Sequence, residues 1–175
     1  MNDFYDKLDE LYKSGDRAEL EAFLVEAIAS TGVNSSERAG LLFNLASMQL
    51  ELGDKALADE MISEALEIYD AMPEPDVHHA AALTAKAVLL CAQGDHQGSL
   101  SGFRRALELT KVFFGENIEY ARCKQCISEV CELLGDMPSS IAEMSDAVRI
   151  LENLLGADHA SVIEAQSRLE GLQKL

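Results

Sequence analysis

The chain has no tryptophan and only three prolines, and aromatic residues make up 6% of its 175 residues. With so few breakers, helical periodicity can run almost uninterrupted. No run of alternating β-branched residues argues for a sheet. Basic residues are scarce too: 14 Lys and Arg stand against 31 Asp and Glu, a net charge of −17. A phosphate backbone needs a basic footprint, so nucleic acid is not an expected partner. The acidity suits solubility or attraction to a basic protein. No apolar stretch reaches the length of a membrane span, so membrane insertion is not expected. Met1-Asn2-Asp3-Phe4 lacks the basic-then-apolar pattern of a signal peptide. Four cysteines without a secretion signal read as reduced thiols in a cytoplasmic protein.

What the chain does have is a repeat. Gly-Asp occurs at Gly15-Asp16, Gly53-Asp54, Gly94-Asp95 and Gly135-Asp136, at intervals of 38, 41 and 41 residues. A period of this size marks a stack of supersecondary units. An apolar-periodic segment precedes and follows each pair. Gly suits the left-handed residue that ends one helix, and Asp can cap the next. Each repeat is therefore expected to be two antiparallel helices joined by a tight turn.

The segments after each Gly-Asp share a pattern: Leu20, Leu24 and Ala27; Ala58, Ile62 and Ala65; Ser99, Phe103 and Ala106; Ser140, Met144 and Ala147. Ala stands in third place every time, where a neighbouring helix must approach closely. The preceding segments carry Phe4, Leu8 and Leu11; Leu42, Ala46 and Gln49; Leu83, Ala87 and Leu90; and Lys124, Ser128 and Cys131, so the apolar pattern decays in the fourth. A last helix over about 159–173 has Val162, Ala165, Leu169 and Leu172 on one face and is expected to cap the stack.

With Leu42, Leu45, Ala46, Gly53, Asp54, Ala58, Ile62 and Ala65, the second repeat resembles a tetratricopeptide repeat. The common form has 34 residues. The interval of 41 here is similar to the longer kinesin-light-chain type. The segment Arg149–His159 resembles that type's repeat junction, with Ala160 where Pro is usual, and Phe113-Phe114-Gly115-Glu116-Asn117 holds the same place one repeat earlier. The resemblance implies one all-α domain over 1–175: a right-handed superhelix (α-solenoid) of antiparallel helix pairs. Its repeats would span about 1–32, 33–73, 74–114 and 115–155, followed by the capping helix. Pro73-Glu74-Pro75 takes the place of the Gly-containing loop at the second junction.

In that family the first helices line a concave groove. Projected onto this chain, the groove positions are Tyr5, Asp9 and Tyr12; Phe43, Ser47 and Leu50; Thr84, Val88 and Cys91; and Arg122, Gln125, Glu129 and Glu132, with Gln166 and Glu170 on the last helix. One end is apolar and aromatic, the other acidic, which suits a peptide or helix of another protein with apolar anchors and basic residues. A carboxylate clamp is not supplied, since Arg122 is the sole projected cation and Asn44 falls one place off the groove face. A self-assembling scaffold and a chaperone for exported or assembling subunits are the alternative roles.

No metal or cofactor is expected. Cys123, Cys126 and Cys131 share one helix, and Cys91 lies nearer Cys131 than Cys123 in repeat register, so four thiols do not converge. The thiols suit small buried positions of a helix interface. His78 and His79 point about 100° apart on a helix and, with His96 and His159, read as surface residues. There is no Gly-rich phosphate loop, nucleophile elbow or zinc-protease motif, so the expected role is not enzymatic.

Overall fold

The computed structural model describes residues 2–174, apart from the side chains of Asn2, Asp3 and Tyr5. All regular structure among the described residues is helical: α1 (Asn2–Ser14), α2 (Arg17–Ser30), α3 (Ser36–Leu52), α4 (Lys55–Asp70), α5 (His79–Ala92), α6 (His96–Phe114), α7 (Ile118–Leu133), α8 (Met137–Leu155) and α9 (Ala160–Leu172). None of these helices is long and apolar enough to cross a membrane. The chain forms two compact units, Met1–Glu74 and Pro75–Leu175, whose boundary falls inside the Pro73-Glu74-Pro75 segment.

Each Gly-Asp corner works as its chemistry requires. Gly15, Gly53, Gly94 and Gly135 have φ of 71°, 88°, 88° and 78°, a region that costs side-chain-bearing residues strain. Asp16, Asp54, Asp95 and Asp136 each accept the backbone N–H three residues on, that of Glu19, Leu57, Gly98 and Ser139. At the last three corners the Asp N–H also donates to the carbonyl five residues back, on Gln49, Leu90 and Cys131, at 2.9 Å. The first corner differs, because the Asp16 N–H donates to Ser14 Oγ at 3.1 Å.

In Met1–Glu74, α1 packs on α2, α2 on α3 and α3 on α4. Leu11, Leu20, Leu24, Leu42, Leu45 and Ile62 form much of the interior, and Phe4 stacks on Phe23 with centroids 5.0 Å apart. Gln49 sits at a core position because its amide donates to Glu21 Oε1 at 3.0 Å. Ala27, the small residue of the first repeat, is only half-buried.

In Pro75–Leu175 the packing again runs between sequence neighbours, α5 on α6, α6 on α7, α7 on α8 and α8 on α9. A Cβ added to Gly102 would lie 3.0 Å from Ala87 Cβ, which shows how closely α5 and α6 approach. The polar positions of α7 are buried with partners. Lys124 Nζ meets Glu143 at 2.6 Å and Asp146 at 3.1 Å. Ser128 Oγ donates to the Ser140 carbonyl at 2.8 Å, and Cys123 Sγ to the Phe103 carbonyl at 3.2 Å. Val162, Ala165 and Leu172 bury one face of α9 in a cluster with Met144, Val148 and Leu151. His79 departs from the surface expectation: it is buried at the start of α5, while His78, one residue earlier and about 100° around the axis, is exposed.

Ala65 and Ala106 are fully buried at these contacts. Ala65→Leu or Ala106→Leu should cost about 1–3 kcal/mol through overpacking, measured by urea unfolding. A parent-like midpoint would mean that these positions do not face a neighbouring helix. The Asp136 carboxyl is held below its ordinary value of 3.8 by the Ser139 hydroxyl and then by the Ser139 N–H. A lowered folded-state value gives stability that is present above pH 3.8 and is lost as the pH falls through that lower value. Asp136→Asn keeps a capping oxygen without the titration, so melting curves below about pH 4 should fall off less steeply than those of the parent.

Candidate functional site

The residues projected for a groove fall in both units. In Met1–Glu74 a small cleft of about 210 Å³ is walled by Leu11, Tyr12, Asn44, Ser47, Met48 and Glu51. The Arg17–Glu51 ion pair, 3.0 Å, stands at its edge. Partial burial, and next the Glu51 carboxylate, push the Tyr12 phenol above its ordinary 10.0. Asn44 is on this wall, although the projection put it one place off, while Phe43 and Leu50 are half-buried elsewhere on α3. Asp9 is exposed and pairs with Lys13 one turn on. The Tyr5 side chain lies outside the described residues.

Pro75–Leu175 holds two larger clefts that share a wall. Helical spacing puts Arg122, Cys126 and Glu129 on one side of α7. The first cleft, about 500 Å³, lies between that side and α5; it is lined by Val77, Ala81, Thr84, Val88 and Phe114, with Arg122 and Cys126. The second, about 710 Å³, lies between α7 and α9 and is lined by Arg122, Gln125, Cys126, Glu129, Glu164 and Arg168 among others. Thr84, Val88, Arg122, Gln125 and Glu129 are therefore brought together. Glu132 is half-buried and bonds Arg168.

Several wall residues escaped the projection. Val77 comes from the junction before α5, where periodicity carries no information, and Phe114 is the last residue of α6. Cys126 was legible, since it lies one turn from Arg122. On α9 the wall is Glu164, Ser167 and Arg168, whereas Gln166 is half-buried off the wall and Glu170 pairs with Lys174 at 3.8 Å. Arg168 is a second cation beside Arg122, which the projection lacked.

The charges of the second cleft are unevenly satisfied. Arg122 is bonded by Glu119 at 3.2 Å, and Arg168 by Glu132. Glu129 and Glu164 have no ion pair among the described residues.

The thiols divide by position. Cys123 and Cys131 are buried, while Cys91 and Cys126 are half-buried. Burial, then Cys126 and Glu143, push the Cys123 thiol up to about 12. Burial, then Glu129, raise Cys126, and Cys91 lies close enough to add to that rise. Cys91 Sγ is 3.9 Å from His96 Nδ1. No group of three metal-ligating side chains converges among the described residues. A reagent must reach the thiol, so brief alkylation of the native protein at neutral pH should label the half-buried Cys91 and Cys126 ahead of the buried Cys123 and Cys131. Peptide mass spectrometry checks this order, and early labelling of Cys123 would contradict its burial.

No family model matches the sequence, and no curated protein is similar to it. Solved structures are. A Podosopora anserina protein described as a kinesin light chain with nearly identical TPR-like repeats matches at 14% identity and a TM-score of 0.77, over 99% of this chain and 85% of that one. The apo form of RapI matches at 14% identity and a TM-score of 0.78, over 98% of this chain and 62% of RapI. MamA matches at 13% and 0.62, over 94% of this chain and 91% of its own. The fold is that of tetratricopeptide-like helical repeats, with the long kinesin-light-chain kind among its structural neighbours.

Proposed function

We propose that the protein is a protein-interaction module which seats a peptide or helix of a partner against α5, α7 and α9. The supporting observation is the pair of adjoining clefts on these helices, one apolar and one charged. In the apolar cleft Val88 and Phe114 remain 50% and 55% exposed. Covering such side chains is favourable by about 25 cal/mol per Å². The walls are mostly helical, so little ordering cost offsets that gain. A net charge of −17 favours a protein partner over nucleic acid. Four free thiols suit a reducing compartment, so the proposed setting is cytoplasmic, and the proposed role is not catalytic.

Val88 is at the surface, so Val88→Glu should change stability by no more than about 0.5 kcal/mol. Parent and variant, matched for helicity by circular dichroism, are immobilised and exposed to native cell extract. Mass spectrometry should find a protein retained by the parent and depleted about tenfold on the variant. Equal retention of the same proteins by both would move the binding surface off this cleft. Recovery of the bait itself would point to self-assembly.

A further inference from the structure

We infer that the cleft pair selects a segment carrying an apolar anchor and a Lys or Arg at a set separation, the anchor between α5 and α7 and the cation over Glu129 and Glu164. The inference rests on the proposed binding role and assigns the chemistry of the occupant. Its basis is the charge pairing of the second cleft. Two guanidinium groups face it, and both are already engaged, Arg122 by Glu119 and Arg168 by Glu132. Glu129 and Glu164 line the same cleft with no such partner among the described residues. A cleft whose cations are satisfied and whose carboxylates are not attracts positive charge and repels a carboxylate. The neighbouring cleft offers Val77, Val88 and Phe114 and takes an aliphatic or aromatic side chain.

The separation follows from α7. Arg122 and Cys126 belong to both clefts, and Glu129 lies beyond them toward the C-terminal end of the helix. Arg122 to Glu129 spans about 10 Å along the axis at 1.5 Å per residue. Anchor and cation are thus separated by at least about three residues in an extended segment, or about two turns in a helix. A second copy of this chain is a poor occupant, because each copy carries −17.

The test is selection of a random-peptide phage library on the full chain, followed by fluorescence anisotropy of the enriched peptides. Binders should carry an apolar residue and a Lys or Arg at this separation. They should lose about tenfold in affinity on Glu129→Gln/Glu164→Gln and on Val88→Glu, with helicity unchanged. Binders lost on Val88→Glu but indifferent to Glu129→Gln/Glu164→Gln would overturn the charge assignment and leave the binding role standing. Binders indifferent to both variants, or no enrichment at all, would overturn the two together. A mass that doubles with protein concentration and is restored to the monomer by Val88→Glu would replace the foreign segment with a second copy.

Discussion

The left-handed turn at each Gly-Asp corner is the constraint on which the remaining structure depends. It reverses the chain within two residues, which sets the two helices of a pair antiparallel and in contact. The glycine makes the reversal cheap. The aspartate recovers one of the N–H groups that a helix start would leave unpaired. Once the reversal is made, side chains at the crossing must be small, and the second, third and fourth pairs have Ala65, Ala106 and Ala147 with no exposure. Corner and crossing are one solution, because a bulky crossing residue would splay helices that the corner holds together.

The third and fourth corners position the candidate site. They orient α5 and α7 with their partner helices behind, so the opposite sides are free to wall clefts. In α7 this division is carried by polar residues: Lys124 and Ser128 face α8 and bond to it, while Arg122 and Glu129 face the clefts. Tyr120 is buried on the same helix with the Lys111 and Lys124 ammonium groups 5.7 and 5.9 Å from its ring centre, a favourable arrangement for the cations.

Local chemistry and period were readable without coordinates. The corners, the small crossing residues and the apolar face of α9 all depend on residues near one another in sequence. Lys124 and Gln49 were readable as core positions but not as satisfied ones, since Glu143, Asp146 and Glu21 come from other helices. The site was readable only in part. Thr84, Val88, Arg122, Gln125 and Glu129 share cleft walls because each lies on a predictable helix side, whereas Val77 depends on how a junction folds and Phe114 on where α6 ends. The α9 wall was displaced by one to two residues, because the azimuth of that helix is set by burial of Val162 and Leu172. The first repeat, with its shorter interval and half-buried Ala27, is where the projection was least informative.

Packing between sequence neighbours has a kinetic meaning. The main helix packing within each unit is between sequence neighbours and closes over a short stretch of chain, so little loop entropy must be lost before a contact is rewarded. A helix pair such as α7 and α8 can form on its own and recruit its neighbours, with no single obligatory nucleus. Order then spreads within each unit as a zipper, from one helix to the next along the chain.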